Sequence, residues 1–368
     1  MSIDWRRALA WRLRMQLLEP VGTMPVEGVV ARLGAVPAQS DANAELAVRM
    51  RREQSSAGEV AHALATGTII RTFAFRGATH LMTPMEGAAY LALRASSRMW
   101  ELPSWQNHYQ LAPADWPALR EAVRDALNDG PLTIDELGAA VTGRPEYRHL
   151  AVAFVDRSFT LVKPLAWQGD ISFAPSRNGT ATFQRLDRNQ RWKGLPDIDD
   201  AGRTAVQAYL RAYGPATPDH LRYWLGAGLG AARKRLGNWI SDLDDELVTV
   251  DIEGDAALVL REDLDGLTGT GPTTSVILLP GHDQWVLGPG TADAHVVPPT
   301  RRALVTRGAN IVVADGVVSG TWSLRGTSAL VNWFPECGLP PRDALTAAVN
   351  RLAGVLDRPL RSTIELAT

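Results

Sequence analysis

Gly130-Pro131-Leu132-Thr133-Ile134-Asp135-Glu136-Leu137 and Gly214-Pro215-Ala216-Thr217-Pro218-Asp219-His220-Leu221 share one phrase, G-P-x-T-x-D-x-L. Each copy follows an apolar-periodic helix and leads into further helix and then strand. Gly and Pro end the first helix. Thr133 and Thr217 offer a hydroxyl to the orphan backbone N–H groups that open the next one. Pro218 falls at a first helical position, where its missing N–H costs nothing. Asp135 and Asp219 put negative charge in the first turn, at the positive end of the helix dipole. The elements around the phrase repeat with it, and a helix–turn–helix corner followed by strands, used twice, predicts a tandem winged-helix array.

Working outward from the two copies gives an α+β chain of four parts. Residues 1–105 read as a first winged helix, with helices over Trp5–Leu18, Pro25–Leu33 and Ser40–Arg52. A hairpin, Ile69–Phe75 and Thr79–Met82, turns at Arg76-Gly77, and helix resumes over Pro84–Trp100. Residues 106–190 form the second, with helices Ala114–Asn128, Thr133–Val141 and Arg148–Leu161, then strands near Ala166, Ile171–Ala174 and Thr180–Phe183. Residues 191–268 form the third, a linker followed by helices Ala201–Tyr213, Thr217–Leu225 and Gly230–Leu243 and the hairpin Leu247–Ile252 with Ala256–Leu260. After Gly269-Thr270-Gly271 the texture turns to short β-rich runs: Val276–Leu279, Ala303–Val305, Ile311–Val313, Val317–Trp322 and Ala329–Trp333. Residues 269–368 are therefore expected to form a small β-barrel or sandwich, closed by a helix over Asp343–Leu356.

Composition bounds the function. The chain has 368 residues, 45% hydrophobic and 21% charged, an ordinary globular profile. No apolar run approaches membrane-spanning length and the N-terminal stretch is charged throughout, so neither a secretory signal nor a membrane partner is expected. The single cysteine, Cys337, excludes an internal disulfide and a cysteine-based metal site, and fits a reducing cytoplasm. Net charge is −2, but Asp242–Asp265 alone carries −9, which leaves the remainder at +7. A basic surface with a distant acidic edge suits a nucleic-acid groove. No phosphate-loop phrase, nucleophile elbow or metal-ligand spacing occurs, so no cofactor and no metal are expected.

Four stretches in this order resemble the AlkZ/YcaQ-type winged-helix DNA glycosylase family over nearly the whole chain. They are Arg32-Leu33-Gly34-Ala35-Val36-Pro37-Ala38-Gln39 with Glu45–Arg49, Thr72–Leu81, Arg211–Thr217, and Leu278-Leu279-Pro280-Gly281-His282-Asp283-Gln284 with Asp315-Gly316 and Gly320-Thr321-Trp322 beyond it. The resemblance implies three winged helices and a β-barrel, C-shaped around a DNA channel. The implied partner is double-stranded DNA carrying bulky alkylpurine adducts, and a monomer is expected because the array can wrap DNA alone. The implied reaction is hydrolysis of the N-glycosidic bond of bulky N7-alkylguanine adducts or cross-links, in DNA repair or self-resistance to a genotoxin.

The family's catalytic pair is Gln-x-Gln or Gln-x-Asp. Here the triplet is Pro37-Ala38-Gln39: the second amide is present, and the first position holds a residue with no side-chain hydrogen bonds. Gln39 is the expected catalytic residue. His80, His282 and Asp283 are candidates for positioning water or touching the lesion. Arg49, Arg51, Arg76 and Lys163 are candidates for phosphate contact, and Trp167 and Trp285 for stacking in the groove. With Pro37 in place of an amide, a non-catalytic binder of damaged or drug-loaded DNA is the alternative.

Overall fold

A computed structural model describes residues 3–367. The chain packs into two compact units. One comprises the chain through Val60, Val206–Trp224 and everything from Ile240 on; the other comprises Ala61–Ala205 and Leu225–Trp239.

Both copies of the repeated phrase cap a helix as their chemistry dictates. Thr133 Oγ1 accepts from Glu136 N at 3.3 Å while Glu136 Oε2 accepts from Thr133 N at 2.8 Å, opening the helix Ile134–Thr142. In the second copy His220 stands where Glu136 stood. Thr217 Oγ1 accepts from His220 N at 3.3 Å and His220 Nδ1 accepts from Thr217 N at 3.2 Å, opening the helix Pro218–Leu225. The phrase also pairs with the hairpin that follows it: Leu132-Thr133 with Thr182 and Phe183, and Ala216 with Leu258.

In the second unit the strands run in the order Thr79–Met82, Ile70–Phe73, Ile171–Arg177, Thr180–Arg185, Leu132–Thr133. Phe73, Phe159, Phe173 and Phe183 form an aromatic cluster against them, with centroids 4.8–6.4 Å apart. Lys163–Trp167, where a strand near Ala166 was expected, is a short helix with Pro164 in its first turn.

In the first unit, helix α1 (Trp5–Met15) lays Trp5, Ala8, Trp11 and Met15 on Ile252, Ala257 and Val259 of the hairpin Leu247–Leu260 and on Leu267. The C-terminal part is a five-stranded sheet ordered Arg361–Leu366, Ser328–Trp333, Val317–Arg325, Ile311–Ala314, Val276–Leu279. It has two free ends in that order, so it is an open sheet and not the closed barrel expected from sequence. Alternating short strands encode one buried face equally well in either architecture. That face, with Trp322, Val331 and Trp333, packs into a core shared with Leu345, Val349 and Leu352 of the helix Arg342–Val355. Ala303–Val305 lies in a helix, Arg302–Thr306, rather than a strand. The helix Arg342–Val355 does not end the fold: Arg361–Leu366 follows and pairs parallel to Ser328–Trp333. Among the described residues no helix is long and apolar enough to cross a membrane.

Candidate active site

The Gln39 loop joins helix α2 (Val26–Leu33) to helix α3 (Asp41–Arg49) in the first unit. Gly34 ends α2 with φ 72°, a left-handed turn that glycine adopts without strain. Ala35, Val36, Pro37 and Ala38 are buried, which anchors the loop; Gln39 and Ser40 emerge at the surface. Ser40 caps α3, its Oγ accepting from Asn43 N at 3.3 Å. The amide of Gln39 is thus held on a fixed stretch of backbone and offered outward.

The segment Pro280–Trp285 clamps both sides of this loop. Buried Gln284 donates through Nε2 to Tyr213 Oη at 2.8 Å, and Tyr213 Oη donates to Leu33 O, the last residue of α2, at 2.9 Å. At the start of α3, Asn43 Nδ2 donates to Gly281 O at 3.3 Å, and Gly281 N donates to Asn310 Oδ1 at 2.8 Å. Beyond the end of α3, Arg51 forks onto Asp283 at 2.8 and 2.6 Å, with both side chains fully buried, and also donates to Ala47 O and Gln16 Oε1. Asp283 in turn caps Gln284–Leu287 by accepting from Trp285 N at 2.8 Å. Gly281 must be glycine here, because a Cβ would stand 1.9 Å from Gly308 O. His282 is half-buried at φ 60°, with Nε2 3.3 Å from Thr306 O.

The structure therefore brings Arg51 and Asp283 together and places the segment carrying His282 against α3. It also relocates several expected surface residues. Arg51 is committed inside the clamp and presents no face to a phosphate. Arg49 is buried too, donating to Asp357 Oδ2 at 2.9 Å and Ser55 Oγ at 3.3 Å. Trp285 is core, its Nε1 donating to Gly316 O at 3.1 Å. In the second unit Trp167 is buried beneath Arg94, whose Cζ lies 4.6 Å from the ring centroid. His80 is buried with Nδ1 3.1 Å from Ala78 O and its ring edge-on to Phe75. Burial pushes its pKa down to about 4, against the opposing pull of the Ala78 bond. His80 is a neutral core imidazole at pH 7. Large amphipathic side chains read identically in a loop or under one, so sequence position alone misplaced these residues.

Arg76 and Lys163 remain at the surface of the second unit, around one turn. Arg76 is exposed at φ 54°, and Lys163 Nζ stands 3.5 Å from where a Cβ on Gly77 would lie and 5.6 Å from the Phe73 ring centroid. Burial lowers the Lys163 pKa and nearby Arg94 adds to that, while Asp156 opposes it.

Tyr213 and Gln284 lie inside stretches that carry the resemblance, but neither they nor Asn43 were among the expected site residues. Gln284 follows directly on the His282-Asp283 candidates, and Tyr213 directly precedes the second Gly-Pro phrase, so adjacency was the available signal. A second ionic cluster went unread as well. Fully buried Arg12 donates to Pro215 O at 3.1 Å and stands 3.9 Å from Asp293, which also meets His220 at 3.3 Å and His295 at 3.1 Å. Burial pushes the Asp293 carboxyl up, but the His220 bond and the Arg12 charge outweigh it and hold the pKa at about 2.

The family described as DNA glycosylase AlkZ-like matches residues 30–355, and the chain is a member of that family. An interstrand DNA cross-link repair glycosylase from Streptomyces sahachiroi is 36% identical over 371 residues, covering 98% of this chain and 100% of the relative. The solved structure of Streptomyces sahachiroi DNA glycosylase AlkZ superposes with a TM-score of 0.93 at 33% identity, covering 99% of this chain and 100% of that one.

Proposed function

We propose that this chain is a monofunctional DNA glycosylase that hydrolyses the N-glycosidic bond of bulky N7-alkylguanine adducts or cross-links in duplex DNA, with Gln39 as its catalytic residue. The observation that carries the reading is the braced loop: a surface amide whose flanking helices are fixed at Leu33, Asn43 and Arg51 by one segment. A guanine alkylated at N7 is already cationic and departs without a general acid. The protein then needs only to place a water and stabilise positive charge developing on the sugar. The carbonyl oxygen of Gln39 accepts from that water. The modules that carry the G-P-x-T-x-D-x-L phrase act as winged helices on the duplex, with Arg76 and Lys163 meeting backbone phosphate.

Buried Pro37, where the family carries its other amide, favours a second reading: a binder of adducted DNA that does not cleave. Incubation with a duplex holding one N7-methylguanine, followed by alkaline strand scission at the abasic site, separates the two. Scission supports the glycosylase. Tight, salt-sensitive binding without scission, for this duplex and for one with a bulkier N7 adduct, supports the binder.

A further inference from the structure

We infer that the terminal strand Arg361–Leu366 is a dimerisation edge whose partner is a second copy of this chain. The strand lies at the end of the open sheet, and among the described residues its one neighbour in that sheet is Ser328–Trp333. Arg361 N donates to Thr327 O at 2.8 Å and Ala367 N to Trp333 O at 2.7 Å, which turns the backbone groups of the odd-numbered residues inward. Alternate residues of a strand point their N–H and C=O the other way. Ser362, Ile364 and Leu366 therefore present theirs at the free edge, where they can template another strand.

An antiparallel two-fold pairing must set outward residues against outward residues, so it centres on a single residue. Centred on Thr363, it places Arg361 opposite Glu365 twice, Leu360 opposite Leu366 twice, and Ser362 opposite Ile364. Arg361, Thr363 and Glu365 are all exposed, and Leu366 is 60% exposed. Opposite charges and apolar pairs directly across two strands are the pairings that stabilise a register. Moving the centre to Ser362 sets Arg361 opposite Thr363, and moving it to Ile364 sets Arg361 opposite Ala367; both lose the charge match. The contact is isologous and consumes the edge it uses, so it closes at two copies. The monomer expected from sequence rests on the array enclosing DNA alone, an argument blind to this strand.

The test is the mass of the full-length chain without DNA, by sedimentation over a concentration series. An interface of one strand pair sits at the small end of specific contacts, so the dimer is expected to form with a Kd of roughly 10–100 μM. Arg361→Glu and Glu365→Arg should each leave a monomer throughout, and the double exchange should restore the dimer. In a Cys337→Ser background, Thr363→Cys should oxidise to a covalent dimer, because facing residues of a non-hydrogen-bonded pair approach to disulfide range. A wild-type chain that stays monomeric to about 1 mM overturns the proposal. So does a dimer that neither single charge reversal weakens, since its contact then lies elsewhere.

Discussion

Tyr213→Phe removes one hydroxyl and leaves two buried groups without the partner they have now: the Leu33 carbonyl at 2.9 Å and the Gln284 Nε2 amide at 2.8 Å. A buried polar group stripped of its partner costs about 1–3 kcal/mol, so orphaning two should destabilise the chain by about 2–6 kcal/mol. Gln284→Leu should cost about 1 kcal/mol or less. It deletes the amide whose Oε1 already lacks a hydrogen bond, and it leaves the Tyr213–Leu33 bond intact. In the double variant the Gln284 amide is gone and only Leu33 O is orphaned. The two changes should then fall short of additivity by the cost of that one orphaned amide, about 1–3 kcal/mol. Urea unfolding followed by tryptophan fluorescence measures all three corners of the cycle. The same chain of bonds fixes the end of α2, so Tyr213→Phe should also slow single-turnover base release while leaving affinity for the adducted duplex unchanged. Additivity within about 0.5 kcal/mol, or a Tyr213→Phe rate equal to wild type, would refute the claim that this relay braces the Gln39 loop.

Arg51→Ala strands the buried Asp283 carboxylate and should cost about 3–5 kcal/mol, read as a lowered melting temperature, whereas replacing both partners with apolar residues of similar volume should cost far less. His80 folds with its pKa pushed down to about 4 from 6.5, so it contributes stability that is complete above about pH 6.5 and is lost as pH falls through 4. That loss is about 3 kcal/mol in the acid limb of a stability–pH curve, and it should be missing from a folded variant with no titrating group at position 80. Asp293, held at about 2 against an ordinary 3.8, acts lower down: its contribution is present above about pH 3.8 and lost towards pH 2. Arg76→Ala and Lys163→Ala should each reduce the salt dependence of duplex binding by roughly 0.9 in log–log slope, with no change in the rate of base release once the duplex is saturated.

The features most legible in the sequence were those with local causes. Thr133 and Thr217 were readable as caps because capping depends on residues within one turn, and each hydroxyl does accept there, as Ser40 also does at the start of α3. The hairpin Leu247–Leu260 was readable because alternation and a Glu253-Gly254 turn fix it locally. Readings that depended on the whole sheet failed. Whether strands close into a barrel is decided by edge pairing, and the Arg361–Leu366 edge is a short parallel strand after Pro359 with no alternation strong enough to announce it. Ala303–Val305 shows why a three-residue apolar run decides nothing: only Val305 is buried, on a single helical turn. Gln39 was expected from its place in a motif, and the structure adds that it is exposed on the loop between α2 and α3. Its support was not legible, because Tyr213 and Gln284 act through contacts 180 and 71 residues apart in sequence.

The most direct test of the central claim is single-turnover release of the modified base from a duplex carrying one N7-methylguanine, comparing wild type with Gln39→Ala. If Gln39 places the attacking water, the wild type forms abasic sites and Gln39→Ala loses about 10²-fold or more in rate while binding the duplex as tightly. Equal rates in the two proteins would contradict the account, because base release would then owe nothing to the amide that the loop is built to present.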